Sequence, residues 1–313
     1  MGKKTLQPLI HLASIFLFSA FLVLSWNFFD LKMLFTLTQR FFLNFHWLFF
    51  VTILYLLAFV SRAFAWKMYG DVKHPIKIYL VALFYSLFFN HIFPIKIGDV
   101  VRIGVFANQK DVTWDKATHS VVVMRILDLM CLGIFASVGA LLIGVSLNYY
   151  FLLKIIVVFA IIGLSFLYLL KKKWFSFYLE HVNFLKEAFF HQRSALIISL
   201  VFTSWILEAA VVYGVVHALE FDIALLRAVW LNSITVAAQV FQFTPGGLAT
   251  YESVMSFAFV QLGMKWEDAY NLALITHGFK FLFSFVVGFI VFFLYPISLR
   301  QIKVWKNQKG EKL

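Results

Sequence analysis

Cysteine, proline and acidic residues are all scarce in this 313-residue chain, and each scarcity closes off a class of protein. The single cysteine, Cys131, lies inside an apolar run, so neither a disulfide framework nor a cysteine-based metal site is available. Charged residues make up 13% of the chain against 62% hydrophobic, a ratio no soluble core absorbs. Asp and Glu number 15 against 27 Lys and Arg and, apart from the adjacent Glu267 and Asp268, are scattered singly. That scatter argues against the carboxylate cluster a metal-dependent membrane transferase needs. His91, beside Asn90, has no His or carboxylate at ligand spacing and reads as a satisfied polar residue; no metal and no cofactor is expected. The net charge of +12 is no nucleic-acid footprint, because the basic residues fall mostly between apolar runs, where topology requires them.

What the chain has instead is long apolar sequence, with a mean hydropathy of +0.88 and several runs near the roughly 20 residues that cross hydrocarbon. The fold class this predicts is an all-α polytopic membrane protein. Full spans are expected near 8–28, 47–67, 119–147, 152–170, 194–218 and 270–299. The first begins like a signal peptide (Lys3, Lys4, then apolar to Leu24) but ends in Ser25-Trp26-Asn27 without a small-x-small cleavage site. It is read as an uncleaved span. Trp26, Trp47, Trp66 and Trp114 fall near span ends, as an interfacial belt would have them.

Two further stretches, 78–108 and 225–262, are apolar but broken, the first at Pro94 and Gly98, the second at Pro245, Gly246 and Gly247. Proline removes a helical hydrogen bond and bars the preceding residue from helical geometry. The freed backbone groups cannot face lipid, so each break is expected to be shielded by protein or to line a wet cavity, as a re-entrant hairpin does. With the N-terminus inside and each hairpin returning to its own side, cytoplasmic segments hold seventeen Lys and Arg. Outside segments hold only Lys32, Arg40, Arg227 and Lys265. Both termini are therefore expected in the cytoplasm of a cell-membrane protein.

The second half also repeats the first. Gln109, Trp114, Asp115, Ala117 and Arg125 meet Gln261, Trp266, Glu267, Ala269 and His277 after 152 residues. Asn90 and Pro94 precede Gly98–Asp99, as Gln242 and Pro245 precede Gly246, Gly247 and Glu252. Residues 1–150 and 151–299 are read as two copies within one transmembrane domain, with 300–313 a basic cytoplasmic tail. Three full crossings per copy make the second copy inverted, which brings the two hairpins toward one midplane site.

Charge inside apolar segments is costly and usually paired or functional. Here it comprises Arg62, Lys96, Asp99, Arg102, Arg125, Asp128, Glu208, Glu252, His277 and Lys280. Arg125 and Asp128, at i and i+3, share a helix face, either as a local ion pair or as a phosphate-binding guanidinium with its orienting carboxylate. Asp99 and Arg102 repeat that spacing after Gly98, where the alternative is a plain helix cap. Glu208 lacks a local partner, so a Lys or Arg on another helix is expected, with proton coupling as a second role.

The signature Asn90-x3-Pro94-x3-Gly98-Asp99-x2-Arg102 with Arg125-x2-Asp128, followed by Thr244-Pro245-Gly246-Gly247-x4-Glu252, resembles the lysylphosphatidylglycerol synthase transmembrane region family of flippase-like proteins. The resemblance covers nearly the whole chain. It implies translocation of a phosphate-bearing lipid such as aminoacyl-phosphatidylglycerol, with membrane lipids as partners and no nucleic acid. A membrane-embedded transferase, or the membrane half of a split system with a separately encoded soluble transferase, is the alternative; the protein could also form an oligomer. His277 departs from the arginine the resemblance leads one to expect there.

Overall fold

The computed structural model describes residues 30–70, 73–93, 96–144, 193–241 and 244–297, all of whose regular structure is helical. The predicted spans at 8–28 and 152–170, the tail 300–313 and Pro94 lie outside these residues. The remaining four predicted spans are helices α2 (Phe45–Gly70), α5 (Trp114–Ile143), α6 (Ser194–Ala218) and α9 (Trp266–Leu294). At about 1.5 Å per residue, each exceeds the roughly 30 Å hydrocarbon thickness. Ahead of them comes a helix that the sequence did not suggest, α1 (Leu31–Leu43), opened by Asp30, whose carboxylate accepts from the Lys32 and Met33 N–H groups at 2.8 and 3.0 Å. It buries Leu37 and Phe41 and exposes Lys32, Thr36, Gln39 and Arg40, an amphipathic pattern suited to a membrane interface.

Between the long helices lie two pairs of short ones, α3 (Ile76–Ile92) with α4 (Gly98–Ala107) and α7 (Leu225–Ala238) with α8 (Thr250–Gln261). Each pair folds back on itself instead of stacking end to end. Gly98 meets Asn90, and Phe106 packs on Tyr79 with ring centres 5.1 Å apart. In the second pair Gln239 bonds Gly246, and the Thr235 hydroxyl reaches the Met255 sulfur at 3.8 Å. These are the broken hairpins expected at 78–108 and 225–262.

Element order is thus long, short, short, long, twice over. From Phe45 to Ser194 and from Ile76 to Leu225 is 149 residues; from Gly98 to Thr250 and from Trp114 to Trp266 is 152. The three extra residues fall between α7 and α8, where a 3-10 turn spans Pro245–Gly247. α2 and α6 form the largest helix interface and run antiparallel, Trp47 stacking near His217 at one end and Arg62 meeting Glu208 toward the other. Each hairpin also docks on the last helix of the other half. Phe88 of α3 occupies the notch at Gly288 of α9, and Trp230 of α7 the notch at Gly139 of α5; a Cβ at either glycine would collide with the ring.

Candidate functional site

Both hairpin tips end beside the mid-length charges of the long helices. A cavity of about 150 Å³ between them is bordered by Asn90, Lys96, Arg102, Arg125, Asp128, Glu208, Gly246, His277 and Lys280. Asp99 and Glu252 stand one contact behind, bound to Arg125 and His277. Arg62 also lines the cavity, about two turns inside the end of α2, deeper than its sequence position near a span end suggests.

On the first-hairpin side, Arg125 donates from Nε and Nη2 to one oxygen of Asp99, at 2.9 and 2.6 Å. The partner expected from i,i+3 spacing, Asp128, also pairs with Arg125, more loosely at 3.8 Å, while its other oxygen accepts from the Trp205 indole at 3.0 Å. Arg125 thereby ties the tip helix α4 to α5. The plain-cap reading of Gly98–Asp99 is corrected by the same geometry. It is Asn90 Oδ1 that accepts the Gly98 N–H, at 2.9 Å, while Asp99 turns away to Arg125. Gly98 is required by proximity, since a Cβ there would strike the Ser86 carbonyl and the Asn90 side chain. The Arg125 and Asp99 side chains keep 38% and 28% of their surface exposed, far more than the other charges of the site.

Arg102 does not form the expected pair with Asp99, which Arg125 has taken. Its guanidinium lies 4.1 Å over the Trp66 ring, the residue is 2% exposed, and its Nε has no hydrogen-bond partner. Trp66 is accordingly a core residue, donating to Ser120 Oγ at 3.0 Å, and not the interfacial anchor its position suggests. An aromatic face stabilises a desolvated cation by about 2 kcal/mol, but it accepts no N–H in the ring plane of the guanidinium. Lys96, half-buried at the same tip, has no ion pair or hydrogen bond among the described residues.

On the second-hairpin side the charged side chains are paired. Glu208 receives Arg62 Nη2 at 2.7 Å and Lys280 Nζ at 3.0 Å, and Lys280 also donates to Asn232 Oδ1 at 2.8 Å. Glu208 therefore finds the cross-helix partners expected of it, two of them. His277 places Nδ1 2.6 Å from Glu252 Oε1 and Nε2 3.1 Å from the Gly246 carbonyl, with Tyr251 stacked on its ring at 4.0 Å. The other Glu252 oxygen accepts the Ala249 N–H at 2.7 Å, and the Gly246 carbonyl also accepts Gln239 Nε2 at 2.9 Å. Gly246 and Gly247 adopt φ of 64° and 77°, the left-handed region where glycine alone is at ease. His277 and Glu252 thus border or back the cavity while their polar atoms serve the hairpin turn. His91, near the first tip, donates to the Leu87 carbonyl at 2.8 Å.

Sequence reading missed Gln239, Asn232 and Trp205. Gln239 was findable: at the 149-residue offset it is the counterpart of Asn90, and both amides reach across their own break. Gln242, paired with Asn90 by the 152-residue offset, lies outside the described residues. Arg62, Lys96, Arg102, Arg125 and Lys280 outnumber Asp99, Asp128, Glu208 and Glu252 by one, and the two cations without a carboxylate partner among the described residues are Lys96 and Arg102. Unmatched cations in a low-dielectric cavity favour an anion.

The profile of a family described as "Lysylphosphatidylglycerol synthase TM region" matches residues 11–288. A UPF0104 membrane protein of Methanocaldococcus jannaschii is 23% identical over 235 residues, covering 71% of this chain and 100% of that relative. No solved structure matches the chain.

Proposed function

This chain belongs to the lysylphosphatidylglycerol synthase TM region family, and we propose that it carries a phosphate-bearing lipid, such as a phospholipid or its aminoacylated form, between membrane leaflets. The observation that carries this reading is Arg102: a buried guanidinium whose Nε has no hydrogen-bond partner, beside Lys96, which has no ion pair among the described residues, in the wall of a cavity where both hairpins end. A guanidinium fork matches phosphate oxygens bidentately, and a bound phosphate would supply the acceptors that the protein withholds. A volume of about 150 Å³ suits a head group and is too small for acyl chains, so in this reading the tails stay in the bilayer while the head group crosses. Antiparallel halves with hairpins meeting at mid-depth fit alternate opening toward the two sides. The excess of Lys and Arg in the loops assigned to the inside supports cytoplasmic termini.

The test is leaflet transfer of a fluorescent phosphatidylglycerol in liposomes holding the purified protein. Arg102→Ala and Arg125→Ala are each expected to slow transfer at least about tenfold, the loss of one charge-assisted contact of about 1.5 kcal/mol. Transfer at the wild-type rate in both variants rules this site out.

A further inference from the structure

The contacts of His277 count its protons. A neutral imidazole donates from one nitrogen and accepts at the other. Here both nitrogens face acceptors: the Gly246 carbonyl, which has no proton to give, at Nε2, and the Glu252 carboxyl at Nδ1. Both contacts form only if the pair holds one proton more than a neutral imidazole and a carboxylate, riding either on His277 or on Glu252. We propose that His277 and Glu252 form a proton-binding site that locks the second hairpin to α9 and couples proton uptake to the binding of an anionic lipid head group.

Loss of that proton forces a choice. The Nδ1–H tautomer keeps the carboxylate and turns an Nε2 lone pair toward the Gly246 carbonyl; the other tautomer sets a lone pair against a carboxylate. The first costs less, because a charge-assisted bond is kept. Gly246 then loses one of its two donors and is held by Gln239 alone. The element released is the three-residue turn by which the second break exceeds the first, and its left-handed glycines are a hinge by composition.

The surroundings isolate the pair. Side-chain exposures of 3% and 2% keep bulk water away, and the approach for a proton is the cavity that His277 borders. Tyr251 of α8 covers the ring, and His91 of α3 stands 6.4 Å away with its Nδ1 occupied by Leu87. On its own helix Lys280 is committed to Glu208 of α6 and Asn232 of α7; Arg62 of α2 holds the same Glu208, and Tyr55 of α2 lies beside Lys280. Arg125 and Asp128 of α5 line the cavity and are paired with Asp99 and Trp205. The contact of α1 with α9 includes Phe41 on Phe279, which carries no charge. Glu208, the sequence's candidate for proton coupling, is held between two cations and has no need of a proton. His277–Glu252 is neutral overall when protonated and carries one negative charge when not, so an anion in the cavity and a proton on the pair each favour the other.

The site stands on its hydrogen bonds; its coupling to transport rests on the lipid-carrier reading, and two readouts separate them. The first is pH-difference infrared spectroscopy of the protein in phosphate-free detergent, scanned from acidic to alkaline buffer. The second is transfer of the fluorescent phosphatidylglycerol at both ends of that range. The variants are His277→Gln and, in case it folds poorly, Glu252→Gln. The expected result is a titration signal present in wild type and missing from both variants, with transfer that rises as pH falls by up to about tenfold per unit, the limit for one linked proton. In the variants that ratio falls to about one. A wild type without the signal, or variants that keep it, overturns the proton site. A signal with no lipid movement at any pH upholds the site and sinks the carrier reading, whereas movement with an unchanged pH profile in the variants overturns the coupling.

Discussion

Arg62 and Glu208, 146 residues apart in the chain, meet at 2.7 Å in the middle of the molecule, and Lys280 closes on the other oxygen of the same carboxylate at 3.0 Å. Removing the carboxylate leaves two buried cations facing each other. Glu208→Ala is expected to cost about 3–5 kcal/mol, read from thermal unfolding in detergent. Adding Arg62→Met should return part of that loss, and a double-mutant cycle would measure the coupling. A cycle showing the two changes to be additive contradicts the pairing.

Arg102 should behave in the opposite sense. Its charge is buried without an acceptor for Nε, so Arg102→Met removes a desolvated group and keeps most of the packing on Trp66. Stability is expected to rise by about 1 kcal/mol while phosphatidylglycerol transfer falls. A variant that loses both stability and transfer would show that Arg102 is structural.

The two hairpin glycines should fail in different ways. Gly98→Ala drives a methyl against the Ser86 backbone carbonyl, which no side-chain change relieves; overpacking of this kind costs about 1–3 kcal/mol. Gly246→Ala meets the Phe281 ring. Phe281→Ala in the same chain should restore the part due to collision and leave the part due to a φ of 64°. Melting temperatures of the four variants check this, and full rescue of Gly98→Ala by Ser86→Ala would contradict the backbone clash.

Sidedness is open to direct labelling. Lys77, Asn108 and Gln109 border one groove of the molecule, and Arg40, His46 and Glu220 another at the opposite end of α2 and α6. In a chain carrying Cys131→Ser, single cysteines at Lys77 and Asn108 should react with an impermeant maleimide only from the cytoplasmic side. Those at His46 and Glu220 should react only from outside. Any mixture within one group rejects the orientation.

Most charges of the site were legible from sequence, because charge in an apolar run is conspicuous wherever it occurs. The partners were legible only in part. Spacing along one helix suggested Arg125 with Asp128, which pair loosely at 3.8 Å, and Asp99 with Arg102, whereas Arg125 crosses to Asp99 and leaves Arg102 Nε without a partner. Periodicity describes neighbours on one helix, and only the hairpin brings α4 against α5. The register of the repeat slipped for a similar reason. A 152-residue offset fits every position after the breaks, yet the second break is three residues longer, so before them Asn90 answers to Gln239. Helix α1 escaped notice because thirteen amphipathic residues between two spans look like a loop to a search for apolar length.

The glycine notches constrain how such a molecule can work. Phe88 is seated in one half by its own hairpin and in the other by Gly288, as Trp230 is by Gly139. The halves are clasped like interlaced fingers, and neither can be drawn off without extracting an aromatic ring from the opposite helix. Separation along the interface therefore costs the burial of both rings. The motion that avoids this cost is for each hairpin to tilt or slide in its notch, with the ring as the pivot.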